Sequence, residues 1–112
     1  MIVDMEREIK TLSREILLAL WKIHILHHAQ EGPVVGMWML KELRSHGYDL
    51  SPGTLYPLLQ RMERNGWLRS EAEPGGGSRS IKKYYLTKKG QNVLRFVKER
   101  IRTLWEELKG LP

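Results

Sequence analysis

The chain has 112 residues, a length that suits one domain with a small core. It has no cysteine, which excludes disulfides, iron–sulfur clusters and thiolate zinc sites and is compatible with a reducing compartment. The formal net charge of +6 is unevenly placed: residues 1–50 carry 6 basic and 7 acidic side chains, whereas residues 51–112 carry 13 and 6, so the second half favours a polyanionic partner.

The N-terminus, Met1-Ile2-Val3-Asp4-Met5-Glu6, mixes acids with apolar residues and lacks the basic lead of a targeting segment. Residues 6–29 predict a first helix, because Ile9, Leu12, Ile16, Ala19, Ile23 and Leu26 recur at three- and four-residue steps. Leu17, Leu18, Leu20, Trp21 and Ile25 make its other faces apolar as well. A small domain has few places to bury such a helix, so part of it is expected to pack against a second subunit. The stretch 16–26 is interrupted by Lys22 and His24 and is too short and polar to span a bilayer. The expectation is a soluble cytoplasmic protein with no membrane partner. His24 and His28 stand four apart on one face, with His27 beside them. No carboxylate motif of the metalloprotease type accompanies them, so they read as partly buried or interfacial histidines and no metal is assigned.

Glu31-Gly32-Pro33 breaks the first helix. Residues 35–45 predict a short second helix with Met39, Leu40 and Leu43 inward, closed by His46-Gly47. A third helix starts at Ser51-Pro52, an N-cap followed by proline where its missing N–H costs nothing. Leu55, Leu58, Leu59 and Met62 form its inward stripe, and Asn65-Gly66 closes it. Pro57 forfeits only the bond to Gly53, near the helix start, so a modest kink is expected. Residues 67–73 and 81–86 read as the strands of a hairpin with a glycine-rich tip at 74–80. Gly75-Gly76-Gly77 lacks the Gly-Lys-Ser/Thr ending of a nucleotide loop and reads as a plain hairpin tip.

Residues 88–109 predict a last helix of about 33 Å. Leu94, Val97, Ile101, Leu104 and Leu108 are spaced 3, 4, 3 and 4, a coiled-coil-like seam that needs a partner helix. The first helix of another subunit is the natural candidate. Arg95, Lys98, Arg100 and Arg102 crowd the outer faces.

The fold class expected from this order is mainly α with a small β-hairpin: a winged helix-turn-helix with N- and C-terminal dimerisation helices. It is read as a single domain, with a core over residues 10–87 and a C-terminal dimerisation helix over 88–109. A helix about 10–12 Å wide fits the major groove, and its N-terminal end reaches base edges. The expected DNA contacts are Ser51, Thr54, Tyr56, Pro57, Gln60, Arg61 and Arg64 on the third helix, with Ser78, Arg79, Lys82 and Lys83 on the wing. The expected subunit contacts are Ile9, Leu12, Ile16, Leu94, Val97, Ile101, Leu104, Trp105 and Leu108. Trp38, Ile101 and Trp105 are candidates for a small-molecule site, against the plainer reading of core and dimer packing that also covers Trp21. No catalytic constellation and no cofactor motif is visible, so an enzyme is not expected.

Residues 50–59, Leu-Ser-Pro-Gly-Thr-Leu-Tyr-Pro-Leu-Leu, followed by 61–68, Arg-Met-Glu-Arg-Asn-Gly-Trp-Leu, closely resemble the recognition helix of PadR-like transcriptional regulators. Gly75-Gly76-Gly77, Lys82-Lys83-Tyr84-Tyr85 and Leu86-Thr87-Lys88-Lys89-Gly90 extend the resemblance through the wing, over residues 12–108 or so. It implies a homodimer gripping a pseudo-palindromic operator, acting as a repressor and released by a small aromatic or hydrophobic effector. The single C-terminal helix is similar to the compact subgroup, in which planar drugs enter a pore between subunits. Two positions depart: Val35-Gly36-Met37 stands where the family often has His-Gly-Tyr, and Ile101 stands where an aromatic residue sometimes lines the pore, with Trp105 one turn on. The alternative function is a drug-binding sensor module with little specific DNA recognition.

Overall fold

The first helix starts at Asp4, whose carboxylate accepts the Arg7 N–H at 3.2 Å, and Glu6 and Glu8 in the first turn complement the helix dipole. In the computed structural model, which describes residues 4–77 and 81–110, this helix, α1, runs Met5–Glu31. Gly32-Pro33 then stops it. Val34–Val35 form a short strand, β1, followed by α2 (Gly36–Ser45) and α3 (Pro52–Arg64). The wing strands are β2 (Leu68–Ala72) and β3 (Lys82–Leu86), and α4 (Lys88–Lys109) closes the chain. The architecture is mainly helical with one small antiparallel sheet.

The sheet differs from the expected hairpin by one strand. Its order is β1-β3-β2, with Val34 opposite Tyr84 and Val35 opposite Lys83. Two β-branched residues after Pro33 extend readily, but a two-residue strand has no alternation for a pattern to reveal. In β2–β3, Leu68 pairs with Leu86 and Ser70 with Tyr84, so Tyr84 faces the core while Lys83 and Tyr85 face away.

Every helix of the winged unit contributes a stripe to one core. Trp21, Ile25 and Leu26 come from α1, Met39, Leu40 and Leu43 from α2, and Leu55, Leu58, Leu59 and Met62 from α3. Val34, Leu68 and Tyr84 come from the sheet and Leu94 from α4. Full burial stabilises a side chain such as Leu59 by about 1.5–3 kcal/mol. Both α2 and α3 end in the same six-residue lock. The Gly47 N–H bonds to the Arg44 carbonyl at 3.0 Å and the Tyr48 N–H to that of Leu43 at 3.3 Å, with Gly47 in the left-handed region. Gly66 and Trp67 repeat this at the end of α3. Despite Pro57, α3 is one continuous helix.

Helix α4 is anchored where it begins. Thr87 caps it by accepting the Gly90 N–H at 3.0 Å, and a Cβ on Gly90 would lie 2.2 Å from the Trp67 carbonyl oxygen. Only glycine lets α4 approach the α3–β2 turn this closely. That docking buries Leu94, one turn on. The molecule measures 60 × 28 × 24 Å with a radius of gyration of 16.6 Å. A compact chain of this length has a radius of gyration of about 13 Å. The N-terminal half of α1 and the C-terminal half of α4 are exposed along their length and reach beyond the packed body.

Candidate nucleic-acid interface

Because four apolar side chains of α3 are buried, its other side is turned outward. Tyr56, Pro57, Gln60, Arg61 and Arg64 are all exposed. Among the described residues, neither Arg61 nor Arg64 forms an ion pair. Glu63, which separates them in sequence, is turned inward: it accepts the Ser70 N–H at 3.0 Å and the Ser70 hydroxyl at 2.6 Å, tying α3 to the wing. Its carboxylate is therefore engaged away from the outward arginines.

At the start of α3 the structure corrects one expectation. Ser51 has the extended backbone of an N-cap, but its side chain accepts no backbone N–H. Its carbonyl accepts from Thr54 and Leu55, both at 3.0 Å, while its hydroxyl lies 3.4 Å from that of Thr54. Pro52 accounts for this, since proline presets the first helical turn without help from the side chain. Two hydroxyls thus sit together at the helix start. Thr54 also borders a groove with Ser13, Leu17 and Trp21 of α1, so it is half-buried there.

Tyr56 packs over α2 and stays 36 % exposed. A Cβ on Gly36 would lie 2.6 Å from Tyr56 Cε1, so the absence of a side chain at 36 seats the ring. Val35, Gly36, Tyr56, Gln60, Ile81, Lys82 and Tyr84 line one cleft of about 350 Å³, which brings the outward face of α3 and the wing together. Lys82 is exposed beside it. Lys83 lies on the opposite face of β3 and pairs with Glu73 at 3.7 Å, a surface contact of small energy. Burial, then the nearby Glu63 and Tyr56, push the Tyr84 phenol above its ordinary value, so it stays neutral. Ser78 and Arg79 lie outside the described residues.

The projecting helices carry a second kind of surface. Ile9, Leu12 and Ile16 on α1 and Ile101, Leu104, Trp105 and Leu108 on α4 are exposed apolar side chains. Met5 and Phe96 add to them: Met5 stands four residues before Ile9 and extends that stripe by one turn beyond the expected helix start, while Phe96 lies off the seam. Leu94 departs from the expected subunit contact: it is 2 % exposed and belongs to the chain's own core, drawn in by the Gly90 docking. Val97 is half-buried and borders a groove with Leu18, Ile23 and Val93 of the same chain. A groove of about 660 Å³ runs along α4, lined by Gln30, Leu94, Arg95, Lys98, Ile101 and Trp105 among others. Trp38 is not part of that lining; it sits on the outer side of α2 with its ring edge-on to His28. Trp21 is in the core. No helix of the described residues is long and apolar enough to cross a membrane.

A short α2, a turn, an outward-faced α3 and a twisted hairpin make this a winged helix-turn-helix protein of the DNA-binding class. The family model for the transcriptional regulator PadR-like family matches residues 25–96, and the chain belongs to that family, which is one of regulators and not of enzymes. The chain is 41% identical over 97 residues to a transcriptional regulator of Mycobacterium tuberculosis, covering 87% of this chain and 90% of that one. It is similar to the crystal structure of a PadR family transcriptional regulator from Eggerthella lenta, at 31% identity and a TM-score of 0.75 over 93% of this chain and 91% of the other. A PadR family transcription regulator from Clostridium difficile matches at 26% identity and a TM-score of 0.72, over 80% and 94% of the two chains.

Proposed function

We propose that this regulator is a repressor that binds a pseudo-palindromic double-stranded DNA operator as a homodimer in the cytoplasm. The observation that carries the reading is the two-sidedness of α3: every apolar side chain of its stripe is buried, while Tyr56, Gln60, Arg61 and Arg64 stand exposed, the first two sharing a cleft with Lys82. Gln60 and Arg61 are placed to read base edges, Arg64 and Lys82 to meet phosphates, and Ser51 and Thr54 to meet a phosphate at the positive end of the helix. Pro57 packs on sugar or base edges. Ser78, Arg79 and Lys83 add charge and hydroxyls along the wing.

The second α3 needed for a palindrome comes from a partner subunit. Ile9, Leu12 and Ile16 of one chain cover Ile101, Leu104, Trp105 and Leu108 of the other, which removes from water the apolar surface each leaves exposed alone. The groove along α4 then lies at the subunit boundary, where Ile101 and Trp105 offer an apolar wall to a small aromatic effector.

Fluorescence anisotropy with operator DNA selected from the source genome tests the reading. The expected result is sequence-specific binding whose log K falls linearly with log salt, with a slope of about −0.9 per phosphate neutralised. Salt-independent binding, or equal affinity for every duplex, overturns it. A planar aromatic ligand that quenches tryptophan fluorescence while leaving every duplex bound with equal weakness would instead favour a sensor module.

A further inference from the structure

Four side chains that sequence spacing leaves in two separate pairs meet where α1 packs on α2. His24 and His28 stand four apart on α1, and Glu42 and His46 stand four apart on α2 and its C-cap. One ligand atom each from His24, His28 and His46 lies within 4.8 Å of the others. Glu42 Oε1 lies 3.6 Å from His28 Nε2 and 3.3 Å from His46 Nε2. Donor atoms around a tetrahedral ion with bonds of 2.0–2.1 Å stand about 3.3 Å apart. The Glu42 carboxylate therefore stands at close to ligand spacing from two of the three clustered histidines.

Two further observations set these histidines apart from ordinary surface pairs. The His28 side chain is only 12% exposed, and neither of its ring nitrogens has a hydrogen-bond partner. An imidazole left this way is costly to bury unless something takes a nitrogen lone pair. His24 Nε2 lies 3.2 Å from the Tyr48 hydroxyl, which leaves Nδ1 as its nitrogen for coordination. An oxygen partner on the far nitrogen is what fixes the ring of a metal-bound histidine.

We propose that His24, His28, Glu42 and His46 form a binding site for a borderline divalent transition-metal ion of the zinc class. Three imidazoles and one carboxylate are the donor set such an ion accepts in tetrahedral geometry. The turn at Gly47 that ends α2 places both His46 and Tyr48 against α1, so a bound ion ties α1 to the connection that leads into Ser51 and α3. The neighbouring trio His27, His28 and Glu31 is the competing arrangement. Its His27–Glu31 pair lies open to solvent at 3.1 Å, with both side chains more than half exposed.

The site is tested on the untagged full chain without DNA, so its outcome is independent of the operator proposal. Cobalt(II) titration is expected to give one equivalent per chain with the intense visible absorption of a tetrahedral ion, displaced by zinc. His46→Gln, at a half-exposed position that leaves the core untouched, is expected to weaken binding at least about tenfold. Tyr48→Phe weakens it by about 10–100-fold, as loss of an outer partner does. His27→Gln leaves it unchanged. Zinc raises the melting temperature of the parent chain and not that of His46→Gln. No uptake at millimolar metal, unchanged affinity in His46→Gln, or loss of binding in His27→Gln overturns the assignment.

Discussion

Leu55, Leu58, Leu59 and Met62 on α3 and Ile101, Leu104 and Leu108 on α4 recur at the same helical steps, yet the first four are at most 2% exposed and the last three are 45 to 54% exposed. The pattern alone does not distinguish them. What differs is the opposite surface: α3 faces α1, α2 and the sheet of its own chain, while the far half of α4 runs past the end of the body. An apolar stripe thus reports that a helix has a partner and is silent on whether that partner belongs to the same chain. The α1 helix contains both cases, with Ile25 and Leu26 in the core and Ile9 and Leu12 exposed.

The largest expected effect comes from attacking the exposed seam. Ile101→Glu with Leu104→Glu is expected to sediment as a monomer where the parent sediments as a dimer. Operator affinity should fall by about 10²–10⁴-fold, because the two half-sites are no longer engaged by one linked molecule. A parent chain that is monomeric at micromolar concentration would break the contrast between the two stripes.

Next in size is a paired truncation. Leu59→Ala should lower unfolding stability by about 2–5 kcal/mol, since it opens a cavity in a closed core. Leu104→Ala, in the monomeric background, should change it by no more than about 0.5 kcal/mol. Urea unfolding of the two variants measures the difference, and equal losses would mean that the α4 seam is already packed within one chain.

A smaller effect separates reading from anchoring on the DNA face. Gln60→Ala or Arg61→Ala should cost about 1–3 kcal/mol of binding and relax preference at one operator position. Lys82→Ala should weaken all sequences alike and reduce the salt slope by about one. Competition binding across operator variants and salt concentrations distinguishes the two classes, and a uniform loss from every variant would reduce α3 to a charged surface.

The smallest effect is a pH dependence. The Tyr84 phenol is held above its ordinary value of 10.0 in the folded chain by burial, with Glu63 and Tyr56 adding to it. The unfolded chain therefore loses this proton first. The stability tied to Tyr84 is complete below pH 10 and is lost as pH rises through the raised folded value. Tyr84→Phe, which keeps the ring in the core, should show a flatter fall in urea midpoint above pH 10 than the parent. Identical slopes would remove Tyr84 from the core side of the sheet.

Much of the molecule was legible before any coordinates. The α3 stripe, the two glycine stops at 47 and 66 and the long last helix all follow from residue spacing and local chemistry. The two-residue β1 was not, because it spans a single period of the strand pattern and so shows no repeat. Ser51 illustrates the limit of local rules, since Pro52 already presets the helix start and the hydroxyl turns to Thr54 instead of to the backbone.

Periodicity, caps and glycine stops act over a few residues, so residue order was enough to say which helices form and which side of each is apolar. Which stripes close within the chain, the place of Leu94 in the core and the seat of Tyr56 over Gly36 came from three-dimensional packing. It alone brought Glu42, His46 and Tyr48 to His24 and His28. Those outcomes depend on how α1, α2 and α4 lie against one another, and residues brought together by packing across long loops of chain leave no periodic trace in the sequence.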